Sequence, residues 1–267
     1  MPEIVDQSQL ILSLFILILA MVSGCLPWHQ LLRSKIPGIS FKRSLKSMGL
    51  YVFSKYMPGK VWVILGRASY MADRSELSLA RLSYYSMHNQ IIGLWYGLIT
   101  GIIGLGVLAP QSPWIIIGII IIMAMAFVLF IPTFTNLTQS LLQKILKRKI
   151  QLPQFGIKEV LLMGPSYLVY WLGIALSLYF LGGALFDQGI SIAAALCFNL
   201  AAVLGVIALV APGGLGVREG FLAACLIMGG TNPVDAATFS VATRLWFLSG
   251  EFSHFIIALL IKDPADA

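Results

Sequence analysis

The chain has 267 residues, 58% of them hydrophobic and 11% charged, with a formal net charge of +7 and a mean hydropathy of +0.89. Soluble domains carry roughly a quarter charged residues, so the composition excludes an ordinary soluble domain and points to an integral membrane protein. Several apolar runs approach the ~20 residues of a helical span, and none shows the alternation of a membrane barrel. The expected class is all-α: a polytopic helical membrane protein with about six spans in a single domain, 1–267.

The first predicted span covers residues 10–32. Residues 22–25, VSGC, resemble a lipoprotein cleavage box, but Glu3 and Asp6 stand before it without any Lys or Arg. A secretory signal begins with a basic region, so this span is expected to stay attached. The connection from 29 to 82 holds ten Lys and Arg, from Arg33 to Arg81, whereas 109–113 and 186–189 hold none. By the positive-inside rule this assigns 29–82 to the cytoplasm and the N-terminus to the outside. It also gives the basic charge a commoner reason than nucleic-acid binding, and no nucleic-acid partner is expected.

Within that connection, 41–75 alternates apolar patches with cations and is too interrupted for a full crossing. Its patches flank Pro58 and Gly59, so short re-entrant or interfacial helices meeting at a turn are predicted near 44–67. Lys60 and Arg67, seven apart, share a helical face there.

The second span, 85–108, carries Gly93, Gly97, Gly101 and Gly104 on one face, a pattern for close helix packing. The third span, 114–133, is almost wholly apolar. Residues 135–155 form a basic amphipathic segment expected along the inner surface, placing 134–158 in the cytoplasm. The fourth and fifth spans follow at 159–185 and 190–211.

Then comes APGGLGVREG, 211–220. Pro212 ends a helix, and Gly213, Gly214 and Gly216 permit turns closed to other residues. As a helix, 217–230 would span about 21 Å at 1.5 Å per residue, short of the ~30 Å hydrocarbon core. A second re-entrant element is therefore predicted over 213–230. Amides at its start, with Arg218, would suit a phosphate or carboxylate. Arg218 and Glu219, as helix neighbours, are not expected to face each other.

The last helix, 234–262, places Arg244 and Glu251 on one face with His254 close by. Buried charge in a membrane is costly, so these residues should face protein or water. Either a substrate site or structural pairs such as Arg244–Glu219 or Arg218–Glu251 would satisfy them. Cys25, Cys197 and Cys225 read as packing residues. No metal-ligand cluster, cofactor motif or catalytic signature is present, so neither an enzyme nor a metal or cofactor is expected.

The strings KYMPGKVWVILGR and APGGLGVREG, the latter followed by a short apolar segment and AATFSVATRL, resemble the lysylphosphatidylglycerol synthase/flippase-type transmembrane domain. The resemblance covers essentially the whole chain. It implies a bacterial inner-membrane domain that handles polar lipids, in some members flipping an aminoacylated phospholipid. Pro58, Gly59, Arg67, Pro212, Gly213, Gly214, Gly216, Arg218, Glu219 and Arg244 match its pattern. The soluble aminoacyl-transferase domain is absent from the sequence, so synthase activity is not implied. The chain is also expected to begin at the family's second span.

The leading expectation is binding and flipping of an anionic phospholipid or lipid-linked glycan. Lys60, Arg67, Arg218 and Arg244 would compensate the phosphate, while Glu219 and Glu251 hold those cations or sense a proton. Two alternatives stand beside it: a subunit presenting lipid to a membrane-associated transferase, and a proton-coupled carrier of a small solute.

Overall fold

The computed structural model describes residues 4–57, 61–73, 75–131, 136–137, 139–140, 143–144, 156–208 and 214–262. Among these, all regular secondary structure is helical, so the all-α expectation holds.

Helix α1 (Gln7–Ser23) starts at Asp6, whose carboxylate accepts from the Ser8 and Gln9 amides at 2.8 and 3.2 Å. The Ser8 hydroxyl adds a third bond and, as the largest cause, holds this carboxyl below the usual carboxylate range. The chain breaks at Gly24 and restarts as α2 (Leu26–Arg33), with Pro27 in its first turn. Proline lacks the amide that an interior turn needs, but it fits a helix start. The predicted first span is thus one apolar stretch, Gln7–Arg33, with a local interruption at Gly24 and Cys25.

The segment predicted as short helices resolves into α3 (Phe41–Gly49), a 3-10 turn (Val52–Tyr56) and α4 (Trp62–Ala72). Pro58, Gly59 and Lys60 lie outside the described residues. So does most of 135–155, and with it the predicted surface helix.

Next come α5 (Leu79–Leu108), α6 (Pro113–Phe130), α7 (Ile157–Leu185) and α8 (Ile192–Ile207). The fold ends with α9 (Val217–Met228) and α10 (Pro233–Leu260). Ser78, Ser191 and Asn232 cap the starts of α5, α8 and α10 through side-chain oxygens, which satisfies amides that a helix start leaves unpaired.

Among the described residues, three helical stretches are long and apolar enough to cross a membrane: Gln7–Arg33, Leu79–Leu108 and Ile157–Leu185. Pro113–Phe127 and Ile192–Ile207 are apolar but shorter. Helix α10 has 28 residues, yet Asp235, Arg244 and Glu251 dilute its apolar character. Helix α6 packs on α5 and turns Trp114, Ile116 and Ile120 outward. Such an exterior matches a lipid surrounding.

The glycine face of α5 lies where close packing requires it. A Cβ on Gly101 would sit 2.5 Å from the Leu200 amide nitrogen and 2.8 Å from its Cα. Backbone atoms cannot rotate away, so α5 and α8 must separate if that Cβ is added. Asn199 adds a polar tie, donating to Thr100 Oγ1 of α5 and to the Trp171 carbonyl of α7, both at 3.1 Å. Gly101→Ala is expected to destabilise the fold by about 1–3 kcal/mol through overpacking. Thermal unfolding in detergent checks this, and an unchanged transition would refute the contact.

Helices α1 and α7 are joined by reciprocal bonds: Ser13 Oγ donates to the Ser177 carbonyl at 2.7 Å, and Ser177 Oγ to the Ser13 carbonyl at 2.6 Å. Helix α9, 12 residues long, packs against α8 and α10. It is the predicted half-length element, and both it and α4 bring polar side chains into the bundle interior.

Candidate functional site

The turn entering α9 is built on positive-φ glycines. Gly214 and Gly216 have φ of +71° and +81°, a region that side chains disfavour. A Cβ on Gly214 would also lie 2.6 Å from Gly205 Cα on α8. The turn therefore lies flush against the end of α8, and Arg218, one helical turn later, points inward beside Gly205. Gly214→Ala should displace α9 and cost about 1–3 kcal/mol. A loss of stability matched by restricted proteolysis near α9 is the expected result; wild-type behaviour in both assays would refute it.

Glu219 explains how the start of α9 is held. Its Oε2 accepts from the Gly216 amide at 2.8 Å, and its Oε1 accepts from Arg244 Nη1 of α10 at 2.8 Å. Oε1 also lies 3.8 Å from Arg218 Nε. The expectation that Arg218 and Glu219 would not face each other is corrected here. The carboxylate folds back to cap its own helix, and that motion carries it toward the neighbouring guanidinium. Arg244 and Glu219 thus form a tie between two helices, one of the pairings foreseen from sequence.

Four charged side chains, Lys55, Arg67, Arg218 and Glu251, line a cavity of about 280 Å³ in the bundle interior together with other residues. Arg67 comes from α4 and is 2% exposed. Its Nε donates to Ser86 Oγ at 2.5 Å, and its Nη2 donates to the Ser86 carbonyl at 2.7 Å. Its guanidinium lies over the Trp28 ring at 5.4 Å. Among the described residues no carboxylate pairs with Arg67.

Arg218 is 8% exposed. Its guanidinium lies over the adjoining rings of Phe198 and Phe247, at 5.1 and 4.9 Å. Nη2 makes a long 3.5 Å bond to the Thr243 carbonyl, and the buried Nε has no hydrogen-bond partner. Stacking on aromatic faces holds a guanidinium without consuming its donors. Both arginines are thus anchored while keeping capacity for a ligand.

Glu251 is fully buried. Lys55 Nζ donates to its Oε1, and the Tyr56 hydroxyl donates to its Oε2 at 2.8 Å. Asn89 and Gln90 from α5 and Tyr167, Tyr170 and Trp171 from α7 complete much of the wall. His254 also lines it, and its Nε2 lies 3.3 Å from Cys25 Sγ.

Of the residues predicted for binding, Arg67, Arg218 and Glu251 meet at the cavity. Arg244 and Glu219 stand beside it as the α9–α10 tie. Lys60, with Pro58, Gly59, Pro212 and Gly213, lies outside the described residues. Sequence reasoning missed Lys55, Tyr56, Asn89 and Gln90 as wall residues. The Lys55 signal was available: it interrupts the apolar patches LYVF and YM rather than sitting in a basic run. Among the described residues no group of His, Cys, Asp and Glu could hold a metal ion.

The model of the family described as "Lysylphosphatidylglycerol synthase TM region" matches residues 2–248. No curated protein and no solved structure gives a match. The family match spans both cationic segments that build the cavity, together with the α9 turn and its Arg244 tie, and on that extent the chain belongs to the lysylphosphatidylglycerol synthase TM region family.

Proposed function

We propose that this multi-pass protein of the bacterial inner membrane binds the phosphate of an anionic phospholipid or lipid-linked glycan in the cavity and carries it across the bilayer without covalent chemistry. The cation-rich 29–82 connection faces the cytoplasm in this reading. The family supports a role connected with membrane lipid, and the cavity supports the choice of an anionic one.

The observation that carries the reading is the charge of the wall: three cations, Lys55, Arg67 and Arg218, against one carboxylate, Glu251. Two of the three are almost fully buried guanidiniums, from the short helices α4 and α9. A buried charge costs several kcal/mol in desolvation, and nothing in the packing of Arg67 returns that cost through a carboxylate. A phosphodiester would, and guanidinium geometry suits it. The volume is at the small end of ligand pockets, typically about 300–1,000 Å³. It therefore suits a headgroup whose acyl chains stay in lipid.

Proteoliposomes containing a head-labelled phosphatidylglycerol and an impermeant quencher test the reading. Protein-dependent exposure of the inner-leaflet label is expected for phosphatidylglycerol and not for a phosphate-free glycolipid of equal chain length. Equal rates for both lipids, or no acceleration over protein-free vesicles, would refute it.

A further inference from the structure

Three cations and one carboxylate leave the cavity wall with two positive charges in excess, and the contacts show which two they are. Glu251 is taken by Lys55 and the Tyr56 hydroxyl, donors that hold it ionised. Glu219, beside the cavity, is taken by Arg244 at 2.8 Å. Among the described residues the charges without an equal partner are therefore those of Arg67 and Arg218. We infer that these two arginines form separate phosphate subsites within one cavity, so that the preferred ligand is a lipid whose headgroup has two phosphates. The inference rests on the anionic-lipid reading above and narrows it to a dianionic headgroup.

Two guanidiniums that clamp a single phosphate must bring their donors together. Arg67 and Arg218 are instead held on different walls. Arg67 belongs to α4, which packs chiefly on α5, and Arg218 to α9, which packs chiefly on α8 and α10. Arg67 rests on the Trp28 ring of α2 and bonds to Ser86 of α5, whereas Arg218 rests on Phe198 of α8 and Phe247 of α10. Their ionisable neighbours do not overlap: Tyr167 and Cys25 act on Arg67, and Glu219, Arg244, Glu251 and Tyr56 on Arg218. Each wall also leaves donor capacity. The buried Nε of Arg218 has no hydrogen-bond partner, and Arg67 spends its bonds on neutral oxygens alone.

The two subsites differ in strength. Glu219 Oε1 lies 3.8 Å from Arg218 Nε, and the Lys55–Glu251 pair shares the Phe247 face with Arg218. Part of the Arg218 charge is thus answered by the protein, while no described carboxylate pairs with Arg67. A first phosphate settles on Arg67, and Arg218 takes the second. A phosphodiester monoanion leaves one buried charge uncompensated, which is costly; a headgroup with two phosphates answers both. That chemistry has two lipid sources: two phosphodiesters bridged by glycerol, as in cardiolipin, and a diphosphate joining an isoprenoid to a sugar. The second charge-assisted contact is expected to strengthen binding roughly 10- to 100-fold.

The test is calorimetric binding to the full chain in neutral detergent, using two matched pairs of short-chain lipids. One pair is phosphatidylglycerol and cardiolipin; the other is an isoprenyl phosphate sugar and the corresponding isoprenyl diphosphate sugar. Wild type is expected to bind the two-phosphate member of at least one pair roughly 10- to 100-fold more tightly than its partner, and that pair identifies the source. Arg218→Met should erase the preference, the two-phosphate lipid losing far more affinity than its partner. Arg67→Met should erase it too while also weakening the one-phosphate lipid, and gives a second reading if Arg218→Met does not fold. A preference that survives either substitution places the second phosphate elsewhere and overturns the inference. One-phosphate lipids bound as tightly as their two-phosphate partners in both pairs overturn it alone. No binding of any of the four lipids overturns the anionic-lipid reading with it.

Discussion

Arg67→Met lowers protein-dependent phosphatidylglycerol movement by roughly 10- to 100-fold while leaving thermal stability unchanged or slightly raised. The activity estimate follows from losing a charge-assisted contact of about 1.5–3 kcal/mol to a phosphate. The stability side follows from where the charge sits. Arg67 is 2% exposed and bonds to Ser86 and, at 3.5 Å, to Gln90, none of them ionised. Replacing an uncompensated buried cation by an apolar side chain of similar length removes a desolvation penalty. A residue retained for packing would show the reverse: stability falling and transport following only as far as folded protein is lost. Arg67→Lys should fail as well, because the single ammonium nitrogen cannot reproduce the planar fork that sets Nε and Nη2 on Ser86 Oγ and its carbonyl and aims the remaining N–H groups at a ligand. Rate per folded molecule, measured in proteoliposomes beside an unfolding curve, separates the two roles. Full activity in Arg67→Met would remove this residue from the mechanism.

Glu219→Ala has the opposite signature, a loss of about 1–3 kcal/mol in stability. The substitution strips the α9 start of its cap from Glu219 Oε2 to the Gly216 amide. It also leaves Arg244, whose side chain is 17% exposed, without its carboxylate in an apolar bundle. Removing one partner of a half-buried pair costs more than removing both. The double variant Glu219→Ala, Arg244→Met should therefore recover part of the loss. A melting temperature in Glu219→Ala within error of wild type, or no recovery in the double variant, would show that the tie does not hold α9 in place.

These predictions divide the charges of the last two helices in a way the sequence left open. Seven-residue spacing placed Arg244 and Glu251 on one helical face, and in the structure they do share α10. Each nevertheless has its own partner: Glu219 for Arg244, and Lys55 with Tyr56 for Glu251. Helical periodicity fixes which residues share a face but not which neighbouring helix approaches each turn. That depends on how α9 and the 3-10 turn Val52–Tyr56 seat against α10, through the Glu219–Arg244 and Lys55–Glu251 pairs, whose partners are 25 and 196 residues apart. The half-length of α9 was legible because length against bilayer thickness is simple arithmetic. So was the glycine face of α5, because a repeat of small residues has one efficient use in a membrane bundle. Lys55 was read as one more cytoplasmic cation, since charge counting treats every Lys in a connection alike. Only the turn over α10 shows that it points inward. The interruption at Gly24 and Cys25 inside the first span was not legible, because apolar composition continues on both sides of Pro27 and hydropathy does not see a missing amide.

Native mass spectrometry of the full chain extracted with its own membrane lipids tests the central claim most directly, namely that Arg67 and Arg218 hold a lipid phosphate. Wild type is expected to retain a phosphodiester lipid, and the Arg67→Met, Arg218→Met double variant, folded by the same unfolding assay, to lose it. Retention of only phosphate-free lipid by wild type, or undiminished retention of the same phospholipid by the double variant, would contradict the account.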